Sequence, residues 1–295
     1  MTALRRLLAA TDLSAPARHA VERAALVARA VGARLDLVHV AAAFSGVDEL
    51  RRLVASLPAD VEQRVREQTQ MLVEALAGSL RDRHGITATT HVVEGGLLAG
   101  IEDTAAATGA DLLVFGARGS STLRHVVLGS TAARLISRST RPLLVVKRMP
   151  AADYQRVLVP VDFSAASLPS VQLARAVAPA AKLVLLHVYE APFEGQLYYA
   201  GVDPQYIEEY RQRAWEESQA RMGALIADAG LPPDAATSVF AHGAAPHRIL
   251  QQEDEDDCDL VVMGRQGQTR LGDMLLGSVS RRVLAESDGD VLVLP

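Results

Sequence analysis

Short apolar runs alternate with longer segments of helical periodicity along the whole chain. Residues 7–11 (LLAAT), 35–40, 111–115 and 143–147 are mostly apolar and bounded by turn-forming or charged residues, runs of that length read as buried strands, and a further strand is expected at 87–94. Between the first two, Ala17, Val21, Ala24, Val27 and Val31 recur at helical spacing, with Ser14 as the helix N-cap, Pro16 in its first turn and Gly32 at its end. Further helices are expected at residues 58–84, stopped by Gly85, at 97–109, and at 130–139, where Arg141 and Pro142 end the segment. Strands that are apolar along their length, separated by helices, predict a parallel sheet covered on both faces.

The pattern occurs twice. The segment LLAATDLS (7–14) is answered by VLVPVDFS (157–164), placing Asp162 150 residues after Asp12 and Ser164 in the same N-cap position as Ser14. From His39 and His187 onward the offset is a constant 148, so that Gly95 matches Gly243, Asp111 matches Asp259 and Gly116 matches Gly264. A register this steady marks a tandem duplication, with a two-residue deletion in the first helix of the second copy. Two domains are expected, 1–150 and 151–295, joined by a short polar linker containing Pro150. In open parallel sheets ligands bind beyond the carboxyl ends of the strands, where strand order reverses. Asp12, Val40, Gly95 and Gly116 are all expected at such ends.

Each copy then carries a glycine-spaced segment: GARGSSTLRHVVLGST from Gly116, and GRQGQTRLGDMLLGSVS from Gly264. Both read Gly, two residues, Gly, nine residues, Gly-Ser. Gly116 and Gly119 let backbone turn close to a sugar or phosphate without a β-carbon in the way. Gly129-Ser130 opens a helix, whose unpaired N–H groups and dipole make an anion site. The hydroxyls of Ser130 and Thr131 can donate to phosphate oxygens. A glycine simply turning the chain after a strand would explain Gly116, but not the fixed gap closing on Gly-Ser. There is no P-loop signature and no G-x-G-x-x-G after the first strand.

These residues resemble the ATP-binding branch of the universal stress protein family, over both halves and nearly the whole chain. The resemblance implies two tandem domains of the adenine nucleotide alpha-hydrolase-like fold, each a five-stranded parallel sheet with helices on both faces. It implies adenine at Asp12 and Val40 in the first domain and at Asp162 and Val188 in the second, and ribose at Gly116 and Gly264. It implies phosphates held by Gly119, Gly129, Ser130 and Thr131, and by Gly267, Gly277, Ser278 and Val279, with Mg2+ accompanying ATP. Family members commonly have proline two residues before the aspartate; Pro160 fits and Ala10 departs. Family units pair through their fifth strand, which implies an internal pseudo-dimer of the halves and a homodimer of the chain.

Composition bounds the rest. The net charge of −5 argues against nucleic acid as the main partner. No apolar run approaches the ~20 residues of a membrane span. The single cysteine, Cys258, and the absence of a signal-peptide pattern at residues 1–10 predict a cytoplasmic protein. His39 and His187 are read as packed strand-end histidines, Cys258 as packing, and the acidic run 253–257 as a solvated helix end. His242, His247 and Cys258 fit no zinc spacing, so no metal-ligating or catalytic side chain is singled out. Arg118, Arg124, Arg265 and Arg270 could screen a triphosphate. The aromatic stretch 193–210, with Tyr198, Tyr199 and Tyr206, has no first-half counterpart and reads as a lid or a repacked interface. Three functions remain open: a nucleotide sensor without catalysis; a slow ATPase or self-phosphorylating protein using Asp12 or Asp162 and Ser130 or Ser278; and an interaction or lipid-carrier scaffold with vestigial sites.

Overall fold

The computed structural model describes residues 3–41, 60–117, 130–189, 199–232, 234–267 and 276–295, with only the backbone described at Ser130 and Thr131. The chain divides into two compact units, residues 4–153 and 154–295.

In the first unit, β1 (Arg6–Ala10), β2 (Arg34–Ala41), β3 (Ala88–Glu94), β4 (Leu112–Gly116) and β5 (Leu143–Val146) form a sheet in the order β3-β2-β1-β4-β5. Every neighbouring pair is parallel. The helices are α1 (Ala15–Val31), α2 (Val61–His84), α3 (Leu97–Thr108) and α4 (Ser130–Arg138). The chain steps outward from β1 through β2 to β3, then returns past β1 to β4 and β5. Right-handed crossovers therefore send α1 and α2 to one face and α3 and α4 to the other, and α1 packs on α2 while α3 packs on α4.

The second unit repeats this with β6 (Arg156–Pro160), α5 (Ser167–Val177), β7 (Lys182–Tyr189), α6 (Pro204–Asp228), β8 (Ala236–His242), α7 (Ala245–Glu255), β9 (Leu260–Gly264), α8 (Ser278–Glu286) and β10 (Asp290–Leu294). Its strand order is β8-β7-β6-β9-β10, again parallel throughout.

The core is aliphatic. Leu7, Leu8, Leu37, Leu112, Leu144, Leu158, Leu185 and Leu292 are buried in the strands. Ala17, Ala20, Val21, Ala24, Ala25 and Ala28 form the buried side of α1, where small side chains let the helix lie close to the sheet. Ser14 caps α1, its hydroxyl accepting from Ala17 N at 3.4 Å, and Gly32 closes it in the left-handed region at φ 68°. At the amino ends of the strands Asp111 accepts from Arg5 N and Arg6 N, and Asp259 accepts from Gln155 N and Arg156 N. This repeated pair is structural and lies at the edge of the sheet opposite the glycine segments.

Three readings need correction. Ser164 does not cap the first helix of the second unit: a turn at 165–166 intervenes, α5 begins at Ser167, and its N-cap is Ala166 with no side-chain bond. The acidic run is not wholly solvated. Glu253 is 5% exposed and accepts from Ser287 Oγ and Gly289 N, both at 2.7 Å, tying α7 to the loop before β10. The helix expected from residue 58 begins at Val61. Among the described residues no helix is long and apolar enough to cross a membrane.

Candidate functional site

Strand order reverses between β1 and β4 in the first unit, and between β6 and β9 in the second. The carboxyl ends of these strands part there and leave a crevice.

The turn leaving the first strand is built alike in both units. Thr11 N donates to Val38 O at 2.9 Å and Val161 N to Leu186 O at 2.8 Å, which prolongs each strand by one residue. The next residue, Asp12 or Asp162, folds its carboxylate back, with Oδ1 accepting from Ser14 N at 3.0 Å or Ser164 N at 2.9 Å. The residue between is forced into the left-handed region: Leu13 at φ 64° and Phe163 at φ 60°. Non-glycine residues rarely adopt that conformation, and it recurs at equivalent positions beside a crevice.

The two histidines hold this turn from beneath. His39 Nδ1 donates to Thr11 O at 2.9 Å, and His187 Nδ1 donates to Val161 O at 2.6 Å. A carbonyl only accepts, so each ring carries its proton on Nδ1. Burial lowers the His187 pKa below its ordinary value; the Val161 carbonyl opposes the shift and Arg221 adds to it. Its ring lies against Phe163 with centroids 4.4 Å apart and planes tilted by 42°, and the Arg221 guanidinium lies 4.3 Å from the centre of the same Phe163 ring.

In the second unit the glycines of the spaced segment converge on this turn. Gly264 ends β9, and a β-carbon there would stand 2.6 Å from Ala166 Cβ; one on Gly267 would stand 2.6 Å from Asp162 Oδ2. Gly277 N donates to Arg265 O at 3.0 Å, and a β-carbon on Gly277 would be 3.3 Å from that carbonyl. Ser280 Oγ donates to Gly264 O at 2.9 Å, clamping the start of α8 to the end of β9. Gly277 is the N-cap of α8 and has no side chain to occupy the N–H groups of its first turn, which contains Ser278 and Val279. Close beside Asp162, the Ser164 hydroxyl is buried and has no hydrogen-bond partner among the described residues. Asp162, Gly264, Gly267, Gly277 and the amino end of α8 are thus one constellation. Two glycines that leave no room for a β-carbon, Gly264 and Gly267, a helix start and an unpartnered hydroxyl fit a phosphorylated ligand.

In the first unit Gly116 ends β4, Ala117 N donates to Val146 O at 2.8 Å, and α4 starts at Ser130. Gly119, Gly129, Arg118 and Arg124 lie outside the described residues, as do Arg270 and Tyr198 in the second unit.

Val40 and Val188 stand near the ends of β2 and β7 in equivalent places with different surroundings. Gly100 on α3 approaches Val40 so closely that a β-carbon would stand 3.0 Å from its methyl group. The repeat equivalent of Gly100 is Arg248, which donates from Nε to His242 O at 2.9 Å and from NH1 to Gln251 Oε1 at 2.8 Å. This difference was present in the constant offset but lay outside the glycine segments. Cys258 is buried, and that burial, with Asp256, Asp259 and Glu253 nearby, pushes its thiol up to about 12. Among the described residues no group of histidine, cysteine and carboxylate side chains could hold a metal ion.

Comparison with known proteins agrees with this architecture. The sequence model of the universal stress protein family matches residues 3–147 and again residues 153–295. A universal stress protein of Mycolicibacterium smegmatis is 29% identical over 98% of this chain and 96% of its own length. One of Thermus aquaticus is 31% identical over 48% of this chain and 98% of its own length, the size of a single unit. Among solved structures, a universal stress protein of Archaeoglobus fulgidus superposes with a TM-score of 0.70 at 20% identity, covering 98% of this chain and 97% of that one.

Proposed function

The chain belongs to the universal stress protein family, and from that premise we propose that it is a nucleotide-dependent regulator that binds one ATP, with Mg2+, in each unit. The observation that carries the reading is the packing of Gly267 against Asp162 and of Gly264 against Ala166, with no room for a β-carbon at either and little at Gly277. Backbone packed this closely presents N–H groups rather than side chains to a ligand, and N–H groups at a helix start suit phosphate.

In this reading adenine lies against Asp162 and Val188, ribose against Gly264, and the phosphates against Gly267, Gly277, Ser278 and Val279. The first unit uses Asp12 and Val40, then Gly116, then Gly119, Gly129, Ser130 and Thr131. The Asp162 carboxylate already accepts from Ser164 N and from Ser167 Oγ at 3.1 Å. It is thereby a fixed wall of the pocket, which supports binding without catalysis. The output is a change in partner choice governed by occupancy. Residence in the cytoplasm and homodimerisation belong to the same proposal.

The test is direct. The purified chain is denatured and the released small molecules are identified by mass spectrometry, and melting is followed with and without ATP and Mg2+. An adenine nucleotide in the supernatant and a raised melting temperature are expected. Neither release nor shift would overturn the reading. Transfer of label from the γ-phosphate to protein would show group transfer in place of sensing.

A further inference from the structure

Nine of the twelve aromatic residues lie between 163 and 240, in the second unit. Several of them gather on the α6 side of its sheet. Trp215 meets Phe240 edge-on at 6.4 Å, and Tyr189 meets His242 at 5.5 Å with ring planes tilted by 54°. Between the last residues of β7 and β8 and the early turns of α6 is a pocket of about 400 Å³, lined by Tyr189, Glu208, Arg211, Gln212, Trp215 and His242. It shares no lining residue with the crevice between β6 and β9, although Tyr189 follows Val188 at the end of β7.

The duplication supplies an internal control. At an offset of 148, the same six positions in the first unit are Ala41, Asp60, Gln63, Arg64, Glu67 and Glu94. None is aromatic, and the polar groups satisfy one another or their neighbours. Gln63 donates to Glu67 at 2.8 Å, Arg64 pairs with Asp60 at 2.8 Å, and Glu94 takes Arg66 at 2.5 Å. Where the first unit has exposed polar pairs, the second has aromatic walls around a space of ligand size.

We propose that this pocket binds a small aromatic carboxylate, independently of the nucleotide crevice. Tyr189, Trp215 and His242 offer faces and edges to a single planar ring. Arg211 is half-buried beside them and presents the planar fork that matches a carboxylate. Its neighbour Glu208, at 3.3 Å, has a side chain that is 71% exposed. Ion pairs that open to water are weakly held, so a ligand carboxylate can compete with Glu208 for Arg211. Gln212, also at the rim, accommodates a polar ring substituent.

Trp215 is the only tryptophan of the chain, so its emission reports this pocket alone. The full chain is titrated with phenylacetate, with cyclohexylacetate (same charge, no aromatic ring) and with phenylacetamide (same ring, no charge). Phenylacetate is expected to change the Trp215 emission saturably, and the other two to bind at least about tenfold more weakly. Arg211→Gln is expected to remove that advantage over phenylacetamide while leaving the melting temperature in place. Should the variant not fold, the three-ligand comparison on the native chain still decides. No saturable response, equal responses to all three, tighter binding of free adenine, or an unchanged phenylacetate affinity in a folded Arg211→Gln would each overturn the proposal. Because no nucleotide enters the test, its failure leaves the ATP reading standing.

Discussion

Gly267 lies directly against the Asp162 carboxylate: a β-carbon at Gly267 would stand 2.6 Å from Oδ2. The aspartate cannot swing aside, because Oδ1 is held by Ser164 N and Ser167 Oγ. Gly267→Ala therefore forces the loop out of place. ATP affinity of the second unit is expected to fall at least tenfold, with a stability cost of about 1–3 kcal/mol. Calorimetric titration beside a melting curve checks both, and unchanged affinity would show that this contact does not shape the pocket.

Gly277 and Gly129 allow the two sites to be separated. Gly277→Leu puts a side chain against Arg265 O and the first turn of α8, and is expected to remove one bound ATP of two. Gly129→Leu is expected to remove the other, and the double variant both. If either single substitution abolished all binding, only one unit would hold nucleotide.

Asp36 gives a pH dependence. Burial opposes its charge, but hydrogen bonds from Arg6 Nε at 2.6 Å and His91 Nε2 at 2.8 Å outweigh that cost and hold its carboxyl below the ordinary 3.8. A carboxylate whose pKa is lowered by folding stabilises fully above 3.8, and that stability is lost as pH falls through the lowered folded value. Asp36→Ala is expected to cost about 3 kcal/mol at neutral pH and to flatten the acid limb of a stability profile below pH ~4. Asp36→Val combined with His91→Val, which copies Val184 and Val239 of the second unit, is expected to cost less than Asp36→Ala.

Cys258 is expected to resist alkylation. With its thiol raised to about 12, almost no thiolate exists at pH ~8. Labelling by iodoacetamide is expected only at the rate of unfolding, and stoichiometric labelling of the folded protein within minutes would contradict the burial of this side chain.

Much of the fold was legible in the sequence because the strands are short, apolar and framed by turn residues. β1, β4 and β5 fall within one residue of their expected bounds. Gly32, Gly85 and Gly109 end helices in the left-handed region, as unpatterned glycines after amphipathic stretches should. Ser164 was misread because the repeat to Ser14 is local, whereas the start of α5 depends on the deletion that follows it. Glu253 was misread because a charge run gives no sign of which member faces Ser287 and Gly289, more than 30 residues away. In the candidate site, spacing indicated the glycines and the helix start. It could not indicate that Gly267 meets Asp162, about 100 residues earlier, since that contact exists only once β6 and β9 pair. The pocket under Trp215 was hidden for the same reason, its walls coming from β7, β8 and α6.

The central claim is one nucleotide in each unit. Equilibrium titration of the full chain with ATP and Mg2+, after removal of any co-purified nucleotide, measures it most directly. Two ATP per chain are expected, with unequal affinities that follow Ala10 against Pro160 and Gly100 against Arg248. Fewer than two saturable ATP sites per chain would contradict the account.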